Sequence, residues 1–276
     1  MSFEIQAHRG GRSLFPENTL QAFCYAATLG IRVLELDILV SKDHQIVVSH
    51  DPWLSAPLCA DPQGRPLGID EHGRYLLYEM NYADIASFDC GLPHPSFPGQ
   101  VRVVAVKPLL SRVFREVEAF MASSAMRGRM IYNLEIKSWS DKDGFFHPPP
   151  DHYAALVLQL VEAAGLSQHV RIQSFDCRVV REAWKLNPRL CYGLLIEESK
   201  TADGIFRELG FVPGYLNPHF SLVDRAMMET LHAEGIGTIP WTVNRTEEML
   251  AMKQIGADGI ITDYPERAIA LFGLPE

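Results

Sequence analysis

Two acids two residues apart, Glu35 and Asp37, open the stretch "ELDILVSKDHQIVVSHD", which runs from Glu35 to Asp51. The neighbouring residues are apolar and β-prone, so a strand is predicted. Residues i and i+2 of a strand share a face, and both carboxylates therefore point the same way. A second β-rich run, "QIVVSH", follows after only a few residues. A parallel crossover needs about a dozen residues or more, so the two runs must form an antiparallel hairpin turning near Lys42–Asp43. Counting along that hairpin returns His50 to the level of Leu36–Asp37. Isolated charges in a strand buried on both faces are costly, which favours a chemical role for the two acids.

The same i, i+2 spacing recurs in "NLEIK", where Glu135 and Lys137 share a face. "AHRGG" places His8 and Arg9 at the end of another β-type run, ahead of two glycines that let the backbone turn close to a ligand. Three carboxylates, Glu35, Asp37 and Glu135, suit a hard divalent cation, Mg²⁺ or Ca²⁺. No Cys/His group has zinc-like spacing. Two histidines, an arginine, a lysine and a metal together describe phosphoryl transfer: cations neutralise the phosphate and histidines move protons. Asn18 and Thr19, just after Pro16, read as a helix start, and Glu17 has no assigned role. Trp241 either walls the alcohol part of a substrate or packs against Phe175. His219, also near a strand end, reads as a structural or supporting residue.

These groups need elements to carry them. Eight apolar β-type runs, from "FEIQAH" to "GIITD", are each followed sooner or later by a helical pattern. Alternating β and α units of this number predict a parallel (β/α)8 barrel, α/β in class, as a single domain over residues 1–276. The segment from about 52 to 106 is rich in Pro and Gly and reads as an insertion after the hairpin, over the active face. No repeat of fixed period marks a solenoid.

The 276 residues carry a formal net charge of −9, which excludes a broad basic field for nucleic acid. The N-terminus has neither the basic nor the apolar region of a signal peptide, and no apolar run approaches the roughly 18 residues of a membrane span. The five cysteines are scattered without a CxxC pair and most are expected to be reduced, with the cytoplasm as the default location. The expected partner is a small molecule carrying phosphate. Oligomeric state is left open.

"HRG", "PENT", "ELD", "HD" and "EIK", in this order, resemble the glycerophosphodiester phosphodiesterases. "QSF" (Gln173–Phe175), "WTVN" (Trp241–Asn244) and "GIITDYP" (Gly259–Pro265) extend the match over nearly the whole chain. The resemblance implies a TIM barrel, divalent-metal dependence and hydrolysis of a phosphodiester to an alcohol and a phosphomonoester such as glycerol 3-phosphate. It makes Glu35, Asp37 and Glu135 metal ligands, His8 and His50 the acid/base pair, and Arg9 and Lys137 the phosphate holders. The family's "IPTL"-like segment is here "VKPLL", with Lys107 expected to be solvated, and the "RTT.G.G" run after "HD" is replaced by "LSAPLCADPQGRPLG". Alternatives are a relative of the phospholipase C-like or sphingomyelinase D-like kind that stops at a cyclic phosphate and, from a different class, a non-catalytic phosphate-ligand binding protein.

Overall fold

A computed structural model describes residues 3–124 and 128–274. The order is β1 (Glu4–Ala7), α1 (Leu20–Thr28), β2 (Val33–Val40), β3 (Ile46–Val48), α2 (Tyr82–Ile85), α3 (Leu110–Ser123), β4 (Ile131–Ile136), α4 (Pro150–Ala163), β5 (Val170–Ser174) and α5 (Cys177–Leu186). It continues with β6 (Cys191–Ile196), α6 (Ala202–Leu209), β7 (Tyr215–Pro218), α7 (Arg225–Ala233), β8 (Gly237–Thr238), α8 (Thr246–Ile255), β9 (Gly259–Thr262) and α9 (Pro265–Phe272).

Eight strands lie parallel in the order β8-β7-β6-β5-β4-β2-β1-β9, and β3 pairs antiparallel with β2 off this path. The sheet curls until its ends meet: Ile261 N donates to Pro240 O at 2.8 Å and Val243 N to Ile261 O at 2.9 Å. The result is the TIM barrel that the β–α alternation predicts. Its seventh strand is short because Pro240 has no N–H to continue the ladder, so Trp241 stands beyond the regular strand and bridges to His219.

All eight residues of β2 are buried, as expected of a strand covered by helices outside and side chains inside. Helix starts are fixed locally. Thr19, Asp176, Thr201 and Asp224 accept hydrogen bonds from backbone N–H groups in the first turns of α1, α5, α6 and α7. α4 begins on Pro150, whose ring presets the helical φ. Among the described residues no helix is long and apolar enough to cross a membrane.

The hairpin has the predicted register. Ile38 faces Val48, and Ser49 N donates to Asp37 O at 3.0 Å, so His50 falls opposite Leu36. The segment after it forms a second apolar cluster of its own around Leu54, Leu67, Leu77, Ile85 and Phe88, together with Leu39 and Val47 of the hairpin. Cys24, Cys177 and Cys191 are free, in line with most cysteines being reduced, but Cys59 and Cys90 are joined as a disulfide inside that cluster. The two sulfurs lie 31 residues apart in sequence, and only the fold of the insertion brings them together.

Candidate active site

Side chains at the C-terminal ends of β1, β2 and β4 converge. Asp37 lies beside Glu135 in the β2–β4 ladder, and carboxylate oxygens of Glu35, Asp37 and Glu135 all come within 4.8 Å of one another. All three residues are buried. Burial and the neighbouring carboxylates Asp37 and Glu135 push the Glu35 carboxyl well above its usual range. Burial likewise raises Glu135, with Lys137 acting against it. Asp37 goes the other way: burial opposes its charge, but Arg9, His50, Lys137 and His8 hold it well below the carboxylate range. Its Oδ1 is a buried acceptor without a hydrogen bond. Three crowded, mutually repelling carboxylates with an orphaned oxygen fit a hard divalent cation, and these residues can hold one.

Arg9 and Lys137 are the cations of the cluster. Lys137 Nζ lies 2.6 Å from Glu135 Oε1 and 3.7 Å from Asp37 Oδ1. Arg9 has φ 51°, in the left-handed region, and its backbone N–H donates to Glu35 Oε2 at 3.1 Å. Its side chain grips both oxygens of Glu17 at 3.0 Å and lies 3.1 Å from Asp37. Gly10, with φ 89°, must be glycine: an added Cβ would meet Ala22 Cβ at 2.8 Å and Phe23 at 2.9 Å, where α1 packs on the turn.

Both histidines are anchored in the same way. His8 Nδ1 lies 2.6 Å from Asp263 Oδ1, and His50 Nδ1 lies 2.7 Å from Asp51 Oδ1. With each Nδ1 occupied by a carboxylate, each Nε2 is left without a hydrogen bond among the described residues, that of His8 lying 3.9 Å from Glu35 Oε2. Burial lowers the His8 pKa, with Asp263 acting against it. Asp263 is itself fixed by Arg12 Nε at 2.7 Å and Asn244 Nδ2 at 2.8 Å. Asp51 accepts a further hydrogen bond from Ser55 Oγ.

Trp241 lies at the mouth, not in the charged cluster. It is 5.3 Å from Phe175 and 5.2 Å from His219, ring to ring, and its Nε1 donates to Asn217 O at 2.8 Å. Gln173 links Asn217 to Glu35, to which it donates at 3.3 Å.

Two sequence readings are corrected. Asn18 is not a helix cap; Thr19 alone is. Asn18 takes φ 57° and donates from Nδ2 to Asp37 Oδ2 at 2.9 Å, which orients that carboxylate. Lys107 is not solvated; it is 4% exposed. Sequence reasoning also assigned no role to Arg12, Asp263, Gln173 or Asn244. For Gln173 and Asp263 a signal existed, a polar residue closing an apolar barrel strand in "VRIQS" and "GIITD".

Glu17 is the carboxylate that ties Arg9 to Arg12, the latter at 2.7 Å. Burial opposes its charge, but Arg9 and Arg12 lower its pKa to about 2. A depressed carboxylate stabilises the fold above its ordinary value of 4.5, and the contribution is lost as pH falls from there to about 2. Glu17→Gln should cost roughly 3 kcal/mol at neutral pH. The penalty should shrink across that acid window. Equal urea midpoints for both proteins at pH 7 would disprove it.

Comparison with known proteins decides the family. The model of the glycerophosphoryl diester phosphodiesterase family matches residues 8–267. The chain belongs to this family. A glycerophosphodiester phosphodiesterase of Caldanaerobacter subterraneus subsp. tengcongensis is 28% identical over 268 residues, covering 97% of this chain and 96% of its own. One from Bacillus altitudinis is 25% identical over 270 residues, covering 97% of each. Among solved structures, one from Silicibacter pomeroyi DSS-3 superimposes with a TM-score of 0.86 at 26% identity, covering 98% of this chain and 93% of that one. An Oleispira antarctica phosphodiesterase in complex with the product sn-glycerol-3-phosphate shares the fold, with a TM-score of 0.75 at 23% identity and coverage of 97% and 95%. As a glycerophosphoryl diester phosphodiesterase, this protein is a phosphoric diester hydrolase that acts on glycerophosphodiesters.

Proposed function

We propose that the protein cleaves glycerophosphodiesters to an alcohol and glycerol 3-phosphate through a cyclic phosphate, with His8 and His50 as the acid/base pair. The observation that carries this reading is the pair of imidazoles, each with Nδ1 on a carboxylate and Nε2 without a hydrogen bond among the described residues, beside a buried acidic triad. Binding alone needs cations, not two anchored proton carriers, which argues against a non-catalytic binding protein. In the first step the substrate hydroxyl next to the phosphate attacks phosphorus. One histidine takes the hydroxyl proton and the other protonates the departing alcohol. In the second step water opens the ring and the roles reverse.

Arg9 and Lys137 would hold the phosphate: Arg9 Nε makes no hydrogen bond and Lys137 lies 3.7 Å from Asp37, which leaves donor capacity for it. Glu35, Asp37 and Glu135 would hold Mg²⁺ or Ca²⁺, which when bound would neutralise charge on the phosphate oxygens. Trp241, with Phe175 and His219, would wall the alcohol portion. Relatives named lysophospholipase D, such as the human protein at 26% identity over 275 residues, make a lipid-derived alcohol one substrate to include in a screen.

Chelation should abolish turnover of a glycerophosphodiester, and Mg²⁺ or Ca²⁺ should restore it. Glu135→Gln should weaken metal binding by about tenfold or more, as loss of one charged ligand does, while the fold survives. Full turnover in excess chelator, or unchanged metal affinity by calorimetry, would remove the triad from this role.

A further inference from the structure

We propose that Lys107 is a further substrate-binding residue, whose ammonium group contacts the phosphate held between His8 and His50. The inference rests on the phosphodiesterase reading above and adds a cation that the motif does not supply. Lys107 sits where the insertion returns to the barrel. Val48 N donates to Pro108 O at 2.8 Å and Val47 bridges antiparallel to Leu109, so by register Lys107 faces Ser49, next to His50. The Tyr82 hydroxyl donates to its carbonyl at 3.2 Å and fixes the backbone.

The side chain is buried, yet among the described residues no carboxylate or hydrogen-bond acceptor holds its ammonium. The two acids that feel its charge, Glu17 and Asp51, are already occupied, Glu17 by Arg9 and Arg12, Asp51 by His50 and Ser55. The strand register puts Lys107 beside Ser49, on the His50 side of the site. The residue is largely buried, but its ammonium keeps some exposure and has no counter-ion of its own among the described residues, so it is available to an anion in the site. A phosphate placed between the histidines provides that anion, and a primary ammonium matches it as a point charge.

The test is binding of sn-glycerol 3-phosphate by calorimetry on the metal-loaded protein, with turnover of a glycerophosphodiester alongside. Lys107→Met should weaken glycerol 3-phosphate by about tenfold or more, the size of a lost charged hydrogen bond, and flatten the salt dependence of binding. It should leave binding of neutral glycerol unchanged, and Lys107→Arg should recover part of the loss. Equal affinity in the wild type and Lys107→Met would overturn the proposal. So would a Lys107→Met variant that loses affinity only in proportion to lost stability and regains it when the fold is stabilised by cooling, because Lys107 would then be a counter-charge within the protein. Wild-type protein that neither binds glycerol 3-phosphate nor turns over the diester would instead overturn the reading of function itself.

Discussion

A substrate lacking the hydroxyl next to its phosphate is expected to react about five orders of magnitude more slowly than the normal diester. Among the described residues no serine or cysteine hydrogen-bonds to either His8 or His50 as an activated nucleophile; Ser49 and Ser55 donate instead to Asp51. A hydroxyl already attached to the substrate gains the proximity advantage of an intramolecular attack, about 7–11 kcal/mol in well-oriented cases. Binding of the deoxy analogue should weaken only modestly, because Arg9, Lys137 and the acidic triad address the phosphate. With the normal substrate, phosphorus NMR should reveal a transient cyclic phosphate. Cleavage of the analogue at the normal rate would make water the direct nucleophile and remove the cyclic intermediate.

His8→Ala and His50→Ala should each lower kcat by about 10³-fold or more, since each histidine handles a proton in both steps and one such transfer is worth about 10²–10⁴-fold. The losses should not multiply in the double variant, because the pair acts as a unit. Asp263→Asn probes the same group from behind: it keeps the shape but alters the partner of His8 Nδ1, so kcat should fall with KM nearly constant. A His50→Ala enzyme with normal turnover would show that one histidine suffices.

Local pattern carried much of this site into the sequence. The i, i+2 acids, the short turn at Lys42–Asp43 and the level of His50 follow from strand periodicity and hairpin counting, and each lies where those rules put it. What escaped depends on distant chain. Asp263 meets His8 from 255 residues away, and no local rule joins them. Lys107 looks solvated in isolation because its burial depends on how the whole insertion folds back on β3. Asn18 misled in the opposite sense: Thr19 beside it satisfies the cap pattern, and the left-handed backbone that turns Asn18 toward Asp37 leaves no mark in a propensity argument. Cys59 and Cys90 follow the same logic as Lys107.

The hairpin of β2 and β3 has a consequence for how such an enzyme changes over evolutionary time. Its Ile38, Val40, Ile46 and Val48 belong to the barrel core, while Leu39 and Val47 belong to the insertion's own cluster. A party wall of this kind separates two neighbourhoods that can drift at different speeds. Leu54, Leu67, Ile85 and Phe88 lie in a cluster that contains neither Glu35 nor Asp37, so substitutions among them are buffered locally before they reach the acids. Amide exchange would display the same seam physically: the insertion should open at a lower free energy than β2 and β4, as a unit, with the barrel still closed.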